Sequence, residues 1–204
     1  MPDTYSSFRA GLEAGLACLW KPWFMSGVRN GGYEQTLRNV CMPAIEEAMG
    51  RTAFTESDGR RDLVLTSVRS DAPSSTACEF KTNFASQIGD IETRPAQALL
   101  QINRSSLKTH QDRIVVYAVA ELVLESDSDQ CLAVHHNASV GPKSYKRFLK
   151  ENPAQMQRIS RIFDSPQDPG QRFERVFEKG LRKLYLEDKS GFARLHVWTL
   201  YVPG

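Results

Sequence analysis

The chain has 204 residues, 41% of them hydrophobic and 25% charged, with a formal net charge of +2. That length suits one domain with a substantial buried core, and no uncharged apolar run is long enough to span a membrane. Four separated cysteines, Cys18, Cys41, Cys78 and Cys131, form no Cys-x-x-Cys pair, which excludes a zinc ribbon and a disulfide scaffold and points to reduced thiols in the cytoplasm.

The first residues lack a basic stretch followed by an apolar one, so no secretory signal is expected. Ser6 to Trp20 carries Phe8, Leu12, Leu16 and Leu19 at helical spacing, which predicts a helix broken by Lys21-Pro22-Trp23. Asn30-Gly31-Gly32 reads as a turn. A second helix is predicted from Tyr33 to Met49, with Leu37, Val40, Cys41, Ile45 and Met49 inward, Pro43 kinking it and Gly50 stopping it. Short strands follow at Arg51 to Glu56 and Leu63 to Val68, joined by the Ser57-Asp58-Gly59 turn. A hairpin loop at Ser70 to Ser75 leads to a strand at Thr76 to Thr82. Asn83 to Arg94 reads as loop, and Pro95 as the start of a helix reaching Lys108.

Arg113 to Glu125 is a nearly unbroken apolar run, the pattern of a strand buried on both faces. A turn at Ser126-Asp127-Ser128-Asp129 precedes a strand at Gln130 to His136. Helices are predicted at Pro142 to Lys150 and Gln155 to Phe163. Phe173, Val176, Phe177, Leu181 and Leu184 recur at helical spacing, predicting an amphipathic helix over Gln171 to Leu186. Arg194 to Val202 alternates like a strand at a sheet edge. The expected fold is α/β: a mixed central sheet flanked by helices, with an α-β-β-β-α-β core at about 31–125, an N-terminal helix at 6–20 and a C-terminal α+β extension over 126–204, all in one domain.

Charge is unevenly placed. Lys143 to Lys183 holds eleven Lys/Arg against five Asp/Glu, whereas Thr55 to Glu92 is acidic by comparison. A basic surface beside an acidic pocket suits a polyanion bound around a cation. The acidic stretch contains the most specific pattern in the chain. Asp62 directly precedes Leu63-Val64-Leu65, and seventeen residues later Glu79-Phe80-Lys81 ends another apolar run. If the two runs pair, Asp62, Glu79 and Lys81 converge at one end of the sheet. Glu79 and Lys81 face one way because residues i and i+2 of a strand do, and Phe80 faces the core. Two carboxylates beside a lysine can hold a hard divalent cation and orient water toward a phosphodiester.

With this element order, the residues resemble the PD-(D/E)xK nuclease superfamily over roughly Gly31 to Glu125. Glu79-Phe80-Lys81 matches the second half of its motif, while Arg61-Asp62 stands where many members have Pro-Asp. Gly32-Tyr33-Glu34-Gln35-Thr36-Leu37 is similar to the first-helix motif in which a glutamate completes the metal site. Gln97 matches a supporting glutamine on the helix after the lysine strand, and Gln101 is its alternate. The resemblance implies a metal-dependent DNA endonuclease leaving a 5′-phosphate and a 3′-hydroxyl. Asp62, Glu79 and the Phe80 carbonyl would ligate one or two Mg²⁺, for which Mn²⁺ would substitute. Glu34 would serve a second metal or its water, and Lys81 would position or deprotonate the attacking water or stabilise developing charge. Asp58 rivals Asp62, and Glu46 and Glu47 rival Glu34.

Lys143, Lys146, Arg147, Arg158 and Arg161 are the candidate phosphate contacts, Tyr145 beside them, with a solvated helix face as the plainer reading. DNA is the expected partner, and cutting both strands of a duplex favours a homodimer. The alternative within the same fold is a catalytically inactive module for nucleic-acid binding or assembly; outside it, the triplet is coincidence. His135-His136 sit on opposite faces of a strand and cannot easily share a metal. His110 and His196 read as structural. Trp20, Trp23 and Phe24 read as packing for the first helix, with base stacking as the competing use.

Overall fold

A computed structural model describes residues 3–19, 33–55, 63–67, 75–85, 87–103, 112–124, 131–132, 155–165, 172–186 and 189–203. The elements in chain order are α1 (Thr4–Ala17), α2 (Tyr33–Met49), β1 (Thr52–Phe54), β2 (Leu63–Thr66), β3 (Ser75–Phe84), α3 (Ile88–Ile102), β4 (Asp112–Leu124), β5 (Cys131–Leu132), a helix α4 over residues 155–164, β6 (Glu174–Leu186) and β7 (Lys189–Pro203). From α2 to β4 this is the expected α-β-β-β-α-β order. Outside the described residues lie the predicted breaks and turns at 20–32, 57–59 and 126–129, most of the hairpin loop at 70–75, and the predicted helix at 142–150.

Among the described residues one mixed seven-stranded sheet runs β1-β2-β3-β4-β7-β6, with β5 pairing β4 off that path. β1, β2 and β3 form an antiparallel meander. α3 then crosses over so that β4 lies parallel to β3, in register from Thr76↔Asp112 to Phe84↔Ala120. β7 runs antiparallel along the far side of β4, and β6 antiparallel along β7. The C-terminal extension therefore completes the core sheet.

The sheet is covered on both sides. Phe80, Ile114, Val116, Ala118, Leu195 and Val197 pack on one face with Leu12, Leu16, Leu37, Cys41 and Ile45 of α1 and α2. Val115, Tyr117, Val119, Trp198 and Leu200 pack on the other with Ile91, Ala98 and Ile102 of α3 and Ile159 and Phe163 of α4. β4 is buried from Ile114 to Ala120, as its unbroken apolar run requires.

Local chemistry fixes the helix ends. Asp3 caps α1, its carboxylate accepting from the Ser6 N–H at 2.6 Å. α2 ends at Gly50, whose φ of 59° is left-handed. The Gly50 N–H donates to the Glu47 carbonyl and the Arg51 N–H to the Glu46 carbonyl, the paired bonds of a Schellman termination. α1 meets α2 through Gly11 and Gly15, where a Cβ would sit 2.6 Å from the Cα of Ile45 and of Cys41 respectively.

Three expectations are corrected. Residues 174–186 are strand β6, not helix. Its pairing with β7 shifts register between Arg175 and Phe177 and again between Gly180 and Lys183. A bulge adds a residue and resets the two-residue alternation, so Val176 and Phe177 both pack on the α1/α2 side. The resulting three- and four-residue apolar spacing imitates a helix. β7 is not an edge strand; it lies between β4 and β6. Finally, α3 begins at Ile88 and ends at Ile102, with Pro95 inside it and buried. An interior proline costs about 3 kcal/mol, whereas burying Ile91 and Ile102 contributes about 1.5–3 kcal/mol each, so the continuous buried stripe wins.

Candidate active site

The described β2–β3 pairing runs from Thr66↔Ser75 to Leu63↔Cys78. β3 continues for six more residues, Glu79 to Phe84, alongside β4. On this stretch the Thr82 N–H donates to the Glu34 carboxylate at 3.2 Å. Glu34 stands in the first turn of α2, where the helix's exposed N–H groups favour a negative charge. A carboxylate from one helix is thus held against β3 one residue beyond Lys81.

Glu79 and Lys81 form an ion pair, Nζ to Oε1 at 2.5 Å, with side chains only 10% and 20% exposed. Both lie on the α3/α4 face, opposite Val115 and Tyr117 of β4, while Phe80 is fully buried on the other face. An ion pair this sheltered roughly breaks even for stability, and removing one partner strands a buried charge. Its burial on a central strand of the sheet calls for a chemical rather than a packing account.

Next along the same face is Asn83, buried. It accepts the Tyr117 hydroxyl and donates to the Gln87 side-chain oxygen at 3.1 Å; that oxygen also accepts from the Phe84 N–H at 3.0 Å. Burial pushes the Tyr117 phenol well above its ordinary range, Asp90 and Glu34 adding to the shift and Arg94 opposing it. Tyr117 therefore remains a neutral donor, set between the Lys81 strand and the start of α3. Asn83 and Gln87 were missed because the segment after Thr82 reads as loop. The signal was present: Asn83 continues the Glu79, Lys81 alternation by one more step.

Other expected residues fall differently. Gln97 is exposed on α3 and Gln101 half-buried, and the described structure joins neither to the Glu79–Lys81 pair by a hydrogen bond. Glu46 accepts the Ala53 N–H at 2.7 Å, tying α2 to β1, and Glu47 is exposed. Arg158 pairs with Glu92 of α3. Arg161 lines a cleft beside β6 and β7. His196 is buried in contact with Glu121, Nε2 to Oε2 at 2.8 Å. Asp62, Asp58, Lys143, Lys146, Arg147, Tyr145, His110, His135, His136, Trp20, Trp23, Phe24, Gly31 and Gly32 lie outside the described residues.

Among the described residues no three His, Cys, Asp or Glu side chains are grouped to hold a metal. Glu34 and Glu79 supply two hard oxygen donors; Asp62 directly precedes Leu63, the β2 residue that pairs with the neighbour of Glu79. Among the described residues no helix is long and apolar enough to cross a membrane. No protein-family model, curated protein or solved structure matches the chain.

Proposed function

We propose that the protein is a metal-dependent DNA endonuclease of the PD-(D/E)xK type. The observation that carries this reading is the sheltered Glu79–Lys81 pair on β3, with the Glu34 carboxylate held at Thr82, inside an α-β-β-β-α-β order.

The donor set suits a hard cation. Carboxylates of Glu34, Glu79 and Asp62, with the Phe80 carbonyl, are the oxygen ligands that Mg²⁺ takes, and Mn²⁺ would replace it. When bound, the cation would supply Lewis-acid polarisation of the scissile phosphate and lower the pKa of water. The chain's own groups do the rest. Lys81, held by Glu79, orients the attacking water and meets the negative charge that develops on the phosphate. Tyr117, kept neutral by burial, and Asn83 fix the β3–β4 wall behind Lys81. Because one such site cuts one strand, double-strand cleavage would require a second copy.

The test is cleavage of supercoiled plasmid and of a branched DNA junction in Mg²⁺ or Mn²⁺, with wild type and Lys81→Ala compared. The expected result is cutting that needs the cation and falls by about 10²–10³-fold in the variant, the size of losing one transition-state donor. Cutting that survives the substitution sinks the assignment. Tight DNA binding without cutting would favour the inactive module instead.

A further inference from the structure

A second cluster of charged groups lies on the same sheet face as Glu79 and Lys81, between α4 and strands β4, β7 and β6. It surrounds an open cleft of about 420 Å³ lined by Glu121, Arg161, Arg175, Glu178, Arg194 and His196, among others. Three guanidinium groups here face two carboxylates. Arg175 is held on three sides: it donates to the Ser160 hydroxyl at 2.7 Å, pairs with Glu178 at 2.8 Å, and lies 5.1 Å over the Trp198 ring. A guanidinium fixed this way has lost most of its conformational freedom before any ligand arrives. Arg161 is exposed at the rim.

His196 is 4% exposed. Glu121, itself buried, holds its Nε2, and Arg194 lies 3.9 Å from the same carboxylate oxygen. Its other ring nitrogen, Nδ1, is buried without a hydrogen-bond partner, and the nearest carboxylate is Glu178, 3.7 Å away. A buried polar atom left unpaired in a native protein calls for a specific reason. Glu178 thus behaves as the cleft's own anion. Its half-exposed carboxylate reaches Arg175 and approaches Nδ1 without fully engaging both.

We infer that this cleft is a binding site for a phosphate ester, which displaces the Glu178 carboxylate and is held by Arg175 and Arg161, beside the unpartnered Nδ1 of His196. Planar guanidinium groups match phosphate oxygens two at a time. Trp198 is fully buried and cannot stack on a base, so the site reads phosphate rather than nucleobase. His196 lies two strands over from Lys81 and two residues along, ~12 Å by strand spacing and rise. Measured along the axis of a duplex, that distance corresponds to about three to four phosphates of one strand. The site itself stands whether or not Lys81 cuts DNA.

The experiment is done in metal-free buffer with EDTA, so that cleavage plays no part. Inorganic phosphate is titrated by calorimetry, and a short fluorescein-labelled single strand of DNA by polarisation, into wild type, Arg161→Ala, Arg175→Ala and Glu178→Gln. Arg161→Ala and Arg175→Ala should each weaken binding about tenfold or more, as expected for a lost hydrogen bond to a charged group. Glu178→Gln should tighten it about two- to fivefold, because a competing, partly exposed charge is removed. A purely structural ion pair would not produce that gain. Binding of phosphate as well as DNA marks a free-ester site, and binding of DNA alone marks a backbone site; both support the inference. Failure of wild type to bind either probe overturns it, as does affinity unchanged in Arg161→Ala or Glu178→Gln. Arg161 is on the exposed surface, so its variant keeps the test valid if Arg175→Ala does not fold.

Discussion

Glu79 is the residue on which the proposed chemistry turns. Its carboxylate is nearly buried and paired with Lys81. If it also holds a cation, ligand binding must stabilise the fold by mass action, by about 2.7 kcal/mol at a hundredfold excess over Kd. Melting with and without Mn²⁺ should therefore show a rise for wild type that disappears in Glu79→Gln. A rise of the same size in both would place the cation elsewhere. At this scale the sequence was partly legible. Strand alternation alone put Glu79 and Lys81 on one face and Phe80 in the core, as the structure has them. The same alternation reaches Asn83 but gives no sign of its bonds to Tyr117 and Gln87, because hydrogen bonds between a strand, its neighbour and a helix start depend on tertiary placement. The His196–Glu121 contact was illegible for the same reason: seventy-five positions separate the two.

The elements hold together through specific seams. α1 packs on α2 with glycine against backbone, so Gly15→Ala must force the helices apart at Cys41. Overpacking of this kind costs about 1–3 kcal/mol, and urea denaturation should show that loss. α1 also docks on the sheet through Tyr5, whose ring stacks on Tyr201 at 5.1 Å and whose hydroxyl shares a hydrogen with the Thr199 hydroxyl at 2.7 Å. Desolvation, then the Asp112 carboxylate, pushes the Tyr201 phenol up to about 12, and burial raises Tyr5 as well. Both folded-state values are raised, so the fold favours the protonated phenols. Their contribution is complete below pH 10, the ordinary tyrosine value, and is lost as the pH climbs through 12. Stability measured from pH 9 to 12 should fall, and Tyr201→Phe should flatten the decline. Element type was readable wherever one period ran uninterrupted, as in α1, α2 and β4. It failed at β6, where bulges broke the alternation, and at α3, where Pro95 read as a boundary although the buried stripe ran through it.

As a whole molecule, the described residues form one sheet whose last two strands lie together on one side, β7 enclosed and β6 outermost. β7 is enclosed between β4 and β6, and Trp198 on it is fully buried, stacked on Phe163 of α4 at 4.4 Å. Trp198→Ala should cost about 3–5 kcal/mol, and a chain truncated after Glu125 should fail to fold, because β4 would lose β7, which pairs with it along its whole length. Circular dichroism of both variants checks this. The α/β class and the core order were readable from the succession of periods; the interior place of β7 was not, since β4 and β7 pair across some eighty positions. That architecture carries Glu34, Glu79 and Lys81 to one stretch of β3, and the proposed ligand set is completed by Asp62, the member chosen from sequence alone. The most direct test is the rate of Mg²⁺-dependent plasmid nicking by Asp62→Asn against wild type, with both melting temperatures recorded. The account predicts a loss of about 10²-fold or more in a protein that melts as wild type does. Nicking at the wild-type rate by a folded Asp62→Asn would contradict it.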